Sequence, residues 1–507
     1  MKAARYLCVF LLVAALAAVA QMPSFFGPPP DPNDTKIMAE IKDHSQLMGN
    51  LEYLTDVIGP RLTGSPQLKR AHEWAASKFK EYGLANVHQE TTTIANGWER
   101  VSARARIIEP TAQALTIAAA GWSPSTAGVV RGPVVAVTTR RAEDLEQYKG
   151  KLKNAILLTA DMRGQVGPPT PGDPAPATPG QPPQQPAPAA PRPERQPQQP
   201  DVRRQMEQFQ EMARKRDEFF KAEGVAAILR NSSKEHGLLN MTGGNRTFEI
   251  AAIPTAFVTG EGYSLIQRLL KRGPVQVEIE IVNKILKGPI EVYNTVADIP
   301  GTEKPGEYML LGAHLDSWDL ATGATDDATG TSVIMEVARA IQALDLKPKR
   351  TIRFALFWGE EQGLLGSREY VRAHKDELEK ISAMLVHDTG TGKVTSIGLS
   401  GQYQAREIMD QVVAPLRSLG LQELSMRSSG GMDHASFVPE GIPAFYCIQD
   451  MTDYNKTHHS QSDTFDKTNK DNLLQGAQVM ALVAFKIANL PDLLPRKPRP
   501  PARTSGN

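Results

Sequence analysis

Histidine and carboxylate side chains recur at short intervals along the second half of the chain. Imidazole nitrogens and carboxylate oxygens without thiolates form a donor set that suits zinc, with cobalt or manganese as substitutes. In an H-x-D pair, the aspartate can also hold the ring of a metal-binding histidine in one tautomer. Each residue alone is a weak signal, but together they predict a metal site. The residues are His314, Asp316, Asp326, Glu360, Glu361, Asp388, His458 and His459.

These residues follow segments that have the composition of β-strands. Short apolar runs alternate with segments whose apolar residues recur on one helical face. The alternation predicts an α/β domain with a mostly parallel central sheet flanked by helices. Such sheets bind ligands beyond the carboxyl ends of their strands, so the polar residues are expected to meet there. The predicted strands are 308–313, 352–358, 383–387 and 444–448, and predicted helices include 331–344 and 361–374.

The α/β domain is predicted to be interrupted by an insert. Its first part is 21–109, which contains helical segments at 36–58 and 67–82, and its second part is 286–492. Short strand-like runs between the two parts predict a small β-rich unit at 110–285.

Two segments have the composition of disordered chain. Residues 166–200 contain 14 prolines in 35 residues, which predicts an extended, mobile loop within the insert. A charged helix is predicted directly after it, at 201–223. The basic, proline-rich end at 493–507 is predicted to be a disordered tail.

The first 20 residues are typical of a secretory signal peptide. Lys2 and Arg5 precede an apolar run at 6–17, and an A-x-A cleavage pattern ends at Ala20. The run is shorter than the roughly 20 residues that a membrane span needs. We therefore expect a periplasmic or extracellular protein with no stable membrane insertion after cleavage.

Composition limits the classes of partner. The formal charge of +1 over 507 residues argues against a dedicated nucleic-acid binder, and 41% hydrophobic residues exclude a wholly disordered chain. Signal cleavage would remove Cys8 and leave Cys447, which cannot form an internal disulfide. Cys447 lies outside every motif and is expected to be a buried strand residue.

Four motifs resemble, in this order, the co-catalytic di-zinc peptidases of the M28 family. They are HLDSWDLATGATDDATG, WGEEQGLLGS, HDTGTG and HHSQSDT. HLDSWD and HHSQSDT resemble most the carboxypeptidase Q-like branch. The upstream IGPRLTGSPQLKRAHEWAASKFKEYGL is similar to the family's first helical segment. Within the insert, GPVVAV, YKGKLKNAILL and AEGVAAIL resemble a protease-associated domain, so the resemblance covers most of 36–490.

The resemblance implies a ligand set for two Zn²⁺ ions per chain. His314 would bind one ion and His459 the other, and Asp326 would bridge both. Glu361 and Asp388 would complete the two sites.

The resemblance also implies the residues that carry the reaction. Glu360 would be the general base that takes a proton from a metal-activated water and returns it to the leaving amine. Asp316 would orient His314. Asp326 and Asp327 would be joined by a cis peptide bond.

Several assignments stay open at this point. Either His458 or His459 could be the ligand, and the family's His-x-x-x-Asp spacing favours His459 with Asp463 as its partner. His387 either lines the site or packs. Asp433 and His434 belong to a D-H-x-x-F segment that resembles one near the family's substrate pocket, although a structural role for His434 is equally consistent. No tyrosine can be named as an oxyanion donor.

The function these expectations support is that of an exported zinc exopeptidase acting on peptides or dipeptides. Whether it is an aminopeptidase or a dipeptidase/carboxypeptidase is undecided from the sequence. One alternative is a glutaminyl cyclase-like enzyme with a single zinc ion, and another is a non-catalytic binding or receptor module on the same fold. Retention of all five ligands argues against both alternatives. The insert could support a homodimer.

Overall fold

The computed structural model describes residues 31–139, 141–159, 202–242 and 246–497, with side chains not described for 202–210. The predicted signal peptide and the proline-rich loop at 166–200 lie outside the described residues, as does the tail beyond residue 497.

Helices and strands alternate through the second half, as predicted. The α-helices are α1 (Pro32–His44), α2 (Leu47–Glu52), α3 (Pro66–Glu81), α4 (Val202–Ala222), α5 (Gly260–Leu270), α6 (Thr329–Ala343), α7 (Leu365–Ala373), α8 (Arg406–Val413), α9 (Tyr454–Thr457) and α10 (Lys470–Ala488). The strands are β1 (Ala85–Glu109), β2 (Gln113–Leu115), β3 (Ile117–Ala119), β4 (Val130–Val137), β5 (Ile156–Thr159), β6 (Ala227–Asn231), β7 (Thr255–Val258), β8 (Gln276–Ile299), β9 (Lys304–His314), β10 (Arg350–Phe357), β11 (Ile381–Val386), β12 (Val394–Gly398) and β13 (Ala444–Gln449).

The central sheet has the order β12-β13-β11-β9-β10-β8. Neighbours from β13 to β10 are parallel, and β12 and β8 are antiparallel to the strands they border. The predicted α/β fold with a mostly parallel, helix-flanked sheet is therefore confirmed.

Helices cover both faces of this sheet. On β9, Met309 and Leu311 belong to the core under α6 and α10, whereas Leu310 belongs to the core under α7. Successive strand side chains point to opposite faces. Both sets are buried, which explains why these strands are continuously apolar rather than alternating.

A long two-stranded ribbon joins this sheet to a second one. β1 and β8 pair antiparallel over nearly their whole length, from Ala85 opposite Asp298 to Glu109 opposite Gln276. One end of β8 pairs with β10 and the other with β4, which continues into the sheet β4-β5-β6-β7-β3. Sequence analysis missed the ribbon because β1 is largely half-exposed and has no strict alternation of apolar residues.

Three predicted segments differ in detail from the structure. The helix expected at 36–58 is broken at Ser45 and ends in a π-helical turn, Tyr53–Ile58. The helix expected from 361 begins at Leu365, because Gly363 and Leu364 have positive φ angles. The tail predicted at 493–507 includes ordered residues, since Leu494 is buried and Arg496 donates to the main-chain oxygens of residues 378, 379 and 381.

The expectation for Cys447 can be checked directly. Cys447 is buried on β13, with its sulfur 3.4 Å from that of Met480, so its predicted role as a strand residue is confirmed. In the part of the chain that the structure describes, every helix is too short or too polar to cross a bilayer.

A histidine and a glutamate join the ribbon to the end of α7. His374 Nε2 lies 2.5 Å from Glu90 Oε1, and the two side chains are 20% and 22% exposed. The hydrogen bond that His374 donates to Glu90 raises the pKa of His374 above its ordinary 6.5. Although burial opposes the effect, hydrogen bonds from His374 and His88 lower the pKa of Glu90 to about 2.

We expect the replacement His374→Gln to destabilise the protein more at pH 5.5 than at pH 9. A raised histidine pKa contributes stability that is complete below 6.5 and is lost as the pH rises through the folded-state value. The loss in free energy of unfolding should be about 1 kcal/mol larger at pH 5.5 than at pH 9, measured by urea unfolding. His236→Asn, at an exposed position, is the control. Equal losses at both pH values would contradict the assignment.

Candidate metal centre

The predicted ligands converge where the central strands end. His314 is the last residue of β9, Glu360 and Glu361 follow β10, and Asp388 follows β11. β9 lies between β10 and β11 in the sheet, so the carboxyl ends of these three parallel strands meet at one edge of the sheet. Asp326 enters from the turn that precedes α6.

One cluster of donors is formed around His314. Its Nε2 atom lies 3.3 Å from Asp326 Oδ1 and 3.6 Å from Asp388 Oδ1. Its Nδ1 atom lies 2.9 Å from the main-chain oxygen of Asp316 and 3.6 Å from Oδ1 of the same residue. The ring is thus held from one side by Asp316 and presents its other nitrogen to two carboxylates.

A second cluster shares Asp326 with the first. His459 Nε2 lies 3.4 Å from Asp326 Oδ2 and 2.9 Å from Glu361 Oε2. The main-chain N–H of Trp318 donates to Glu361 Oε1 over 3.1 Å, which aims the other oxygen at His459. Asp326 thus presents one oxygen to each cluster.

The electrostatics of the two clusters favour a bound cation. Among the described residues, His314 Nε2 and Asp326 Oδ2 are buried without a hydrogen-bond partner, and Glu361 Oε2 has only its 2.9 Å contact with His459 Nε2. Burial, opposed by His314 and reinforced by Asp326, raises the pKa of Asp388 to about 6. Burial together with Asp326 raises the pKa of Glu361 well above its ordinary range. Carboxylates crowded out of water in this way ionise fully when cations lie among them.

Glu360 lies beside both clusters. Its main-chain N–H donates to Asp316 Oδ1 over 3.2 Å, and Asp316 Oδ2 accepts from the hydroxyl of Thr63 over 2.8 Å. Burial, opposed by His314 and reinforced by Asp388 and Asp433, raises the pKa of Glu360 well above its ordinary value. Asp316 therefore helps to fix the backbone at Glu360 as well as the ring of His314.

The turn that carries Asp326 is held on both sides. The peptide bond between Asp326 and Asp327 is cis, as the resemblance predicted. Gly330, in the first turn of α6, allows close packing, because a Cβ atom there would lie 2.0 Å from the main-chain oxygen of His387. Asp327 Oδ1 accepts from the N–H of Gly330 over 2.8 Å.

Asp463 does not have the role that the spacing suggested. Its Oδ1 accepts from the N–H and the hydroxyl of Thr325, at 2.5 Å and 2.7 Å. In the described part of the chain, Nδ1 of His459 has no hydrogen-bond partner. Asp463 therefore supports the Asp326 turn rather than His459.

The remaining histidines differ in their access to the clusters. His458 Nε2 lies 3.7 Å from Asp326 Oδ2, but its side chain is 41% exposed, against 18% for His459. His387 is buried, with a lowered pKa of about 4, and packs against Gly476 of α10. These positions favour His459 as the donor and a packing role for His387.

The two residues predicted to bind substrate differ in their surroundings. His434 is fully buried and stacks on Tyr446, with 4.8 Å between ring centroids, which favours its structural role. Asp433 is also buried, and burial raises its pKa to about 7 while Asp388 and Asp316 add to the rise. Asp433 therefore interacts electrostatically with the carboxylates of the site, whereas His434 packs on Tyr446.

Sequence analysis missed Arg61, which holds together the loops that carry the donors. Its buried guanidinium donates to five main-chain oxygens and, in the described chain, to no carboxylate. Burial lowers its pKa to about 10, although Asp463 and Asp316 oppose the effect. The acceptors belong to Leu54, Gly59, Leu315, Thr322 and Gly323. The only signal in the sequence was a charged residue between Pro60 and Leu62.

The insert also holds the loop that carries His459. Lys234 Nζ donates to the main-chain oxygens of Asn455 and His458, both over 2.7 Å. The N–H of Met241 donates to the main-chain oxygen of His459 over 2.7 Å. Gln461 accepts from the N–H of Leu239 and donates to the main-chain oxygen of residue 237. We call this set of five hydrogen bonds the insert clamp.

Comparison with known proteins yields one family. A family model described as peptidase family M28 matches residues 294–484. Carboxypeptidase Q from Bos taurus is 30% identical over 458 residues, which are 90% of this chain and 88% of the relative. Carboxypeptidase Q from Mus musculus is 28% identical over 450 residues, covering 88% of this chain and 86% of the relative.

Solved structures agree with this comparison. The crystal structure of a peptidase M28 precursor from Shewanella amazonensis has a TM-score of 0.71 at 29% identity, covering 92% of this chain and 98% of that one. BSAP, a zinc aminopeptidase from Bacillus subtilis, has a TM-score of 0.59 at 19% identity, covering 87% and 93%, and its likeness concerns the fold alone.

The insert clamp predicts that Lys234→Met loosens the segment 455–461. Loss of two charge-assisted hydrogen bonds should increase the population of locally open states roughly tenfold to a hundredfold. Amide hydrogen exchange of the segment, read by mass spectrometry, measures this effect. Lys234→Arg should retain most of the protection. Lys221→Met, an exposed change on α4, is the control, and unchanged exchange in Lys234→Met would contradict the role of the clamp.

Proposed function

The chain belongs to peptidase family M28, and from this premise we propose that it is an exported exopeptidase that binds two zinc ions. One observation carries the proposal: two donor clusters share Asp326, and Glu360 lies beside both. His314 and Asp388 belong to one cluster, and His459 and Glu361 to the other.

The donor set fits zinc. It consists of imidazole nitrogens and carboxylate oxygens, several of them buried without a hydrogen-bond partner in the described chain. Zn²⁺ accepts such ligands in catalytic sites, and cobalt or manganese can substitute. When bound, the ions would lower the pKa of a water molecule and polarise the peptide carbonyl.

The reaction then requires a group that moves a proton. Glu360 accepts a proton from the attacking water while the water oxygen bonds to the peptide carbonyl carbon. Glu360 then donates that proton to the leaving nitrogen as the C–N bond breaks. Adjacent residues of a regular strand face opposite sides, so Glu360 and Glu361 need the turn after β10 to act in one site. Hydrogen bonds from the N–H groups of Gly363 and Leu364 to the main-chain oxygen of Glu360 hold that turn.

The intact donor set favours a peptidase over the two alternatives. A single-zinc cyclase does not need two clusters that share Asp326. A non-catalytic receptor module needs neither the clusters nor the buried Glu360. The similarity to carboxypeptidase Q along 90% of the chain supports a dipeptidase or carboxypeptidase specificity.

We further propose the domain organisation and the export of the protein. The family model matches 294–484, which lies within the proposed second part at 286–492. The segments GPVVAV, YKGKLKNAILL and AEGVAAIL, which resemble a protease-associated domain, support an insert of that type at 110–285. The first 20 residues have the pattern of a signal peptide, which supports a periplasmic or extracellular location.

The first test is the replacement Glu360→Gln, with the metal content and the activity measured together. The proposal expects about two zinc ions per chain in both proteins, and a kcat about 10²- to 10⁴-fold lower in the variant. Glu303→Gln, a change at an exposed residue directly before β9, is the control. Zinc-free protein, or activity that survives in Glu360→Gln, would falsify the mechanism.

A second test separates the two adjacent histidines. His459→Ala should lower the zinc content from about two ions to one, because His459 faces both Glu361 and Asp326. His458→Ala should retain both ions, since it faces Asp326 from a more exposed position. Elemental analysis after dialysis measures the difference. The reverse pattern would assign the ligand to His458.

A further inference from the structure

Trp318 contacts both ligands of the second cluster, His459 and Glu361. Its main-chain N–H donates to Glu361 Oε1 over 3.1 Å. Its indole and the ring of His459 meet edge to face, with 6.2 Å between centroids and 69° between planes. The indole is buried and belongs to the main core. The position of this one residue therefore affects where both ligands lie.

Trp318 is held from outside the central sheet. Gly121, in the insert, leaves room for the indole, because a Cβ atom there would lie 2.9 Å from Cζ3 of Trp318. The next residue in the chain, Asp319, accepts two hydrogen bonds from Arg100 on β1, from Nε over 3.1 Å and from Nη2 over 2.7 Å. The side chains of this ion pair are 15% and 11% exposed. A bidentate pair fixes direction as well as distance, so the loop of Trp318 is fastened to the ribbon.

Arg100 lies at an irregularity of the ribbon. It is opposite Asn283, and the next pair is Ser102 opposite Val282, so β1 contains one extra residue here. Such a bulge redirects the side chains beside it. Nη2 of Arg100 also lies 3.7 Å from the sulfur of Met241, a residue of the insert clamp. The ion pair and the insert clamp therefore meet behind the second cluster.

The first cluster is supported from the central sheet itself. His314 is the last residue of β9, and Asp388 follows β11. The loop after Asp388 is held by Gln449 of β13, which accepts from the N–H of Thr389 over 3.1 Å and from its hydroxyl over 2.7 Å. Gln449 also donates to the main-chain oxygen of Gly390 over 2.8 Å. The two clusters thus depend on different parts of the fold.

We propose that Arg100 and Asp319 are positioning residues for the zinc ion of the second cluster, whose affinity depends on their ion pair, whereas the affinity of the first cluster does not. The inference rests on the proposed function for the presence of two ions. Groups behind a metal ligand orient it, and their loss weakens binding. The ribbon and the insert therefore determine whether the chain holds one ion or two when zinc is scarce.

The test measures zinc affinity one cluster at a time. His314→Ala leaves the second cluster and His459→Ala leaves the first, and Zn²⁺ is titrated into each metal-free protein in competition with a chromophoric chelator. Adding Asp319→Asn should raise the Kd of the second cluster about tenfold to a hundredfold. It should leave the Kd of the first cluster within about twofold. An equal rise in both clusters, or no rise in the second, would overturn the proposal.

Asp298→Asn is the matched control. Asp298 and Arg353 also form a bidentate ion pair between the ribbon and the central sheet, at 2.8 Å and 3.0 Å. Among the described residues, neither of them contacts a proposed ligand. Loss of this pair should lower the free energy of unfolding and leave both Kd values within about twofold. A rise for the second cluster as large as that in Asp319→Asn would indicate general loosening and would count against the positioning role.

Arg100→Lys is a milder variant for the case that Asp319→Asn does not fold. Lysine keeps the positive charge but replaces the planar fork by a single point of contact. The Kd of the second cluster should rise about threefold to tenfold, and that of the first should not change. An unchanged Kd of the second cluster in this variant would contradict the proposal.

The affinities separate this inference from the proposed function. If the wild type binds two zinc ions but hydrolyses no peptide, the proposed function fails, and the Kd values of the single-cluster proteins alone decide the positioning role. If neither single-cluster protein binds zinc, both proposals fail.

Discussion

Carboxylates gathered with imidazoles away from water repel one another or are neutralised by protons unless cations lie among them. Five such side chains meet where β9, β10 and β11 end, and Asp326 presents an oxygen to both clusters. The free energy needed to hold them there comes from elsewhere in the fold. The strands under the site are apolar on both faces, and their burial between α6, α7 and α10 provides the rigid base.

The loops above that base are supported mainly by main-chain hydrogen bonds. Arg61 gathers three segments through their carbonyl oxygens, Asp463 holds Thr325, and Lys234 holds the loop of His459. None of these residues is a proposed ligand. They act on the backbone, which leaves the donor side chains free to face the cluster. Support of this kind sets ligand positions more closely than packing alone.

The sequence allowed the donors to be predicted because strand ends follow from apolar runs, and the end of a parallel strand has a known use. The strand ends placed His314 and Asp388 near each other, and the resemblance to M28 peptidases supplied their proposed roles as ligands. Arg61 and Lys234 could not be found, because most of the main-chain oxygens that they bind lie more than 200 residues away in the chain. Asp463 was assigned to the wrong partner because Thr325, the residue that it contacts, lies 138 residues away in the chain. The ribbon was missed because β1 is largely half-exposed and pairs mostly with β8, so its residues need no apolar periodicity.

That ribbon also determines how the two sheets can move. Domains linked by exposed loops commonly rotate about a hinge. Here β8 is hydrogen-bonded to β10 at one end and to β4 at the other, so the connection is a continuous sheet. Rotation of the insert would have to bend or break that ladder. We therefore expect substrate entry and product release to depend more on side chains and surface loops than on a clamshell closure of the two sheets.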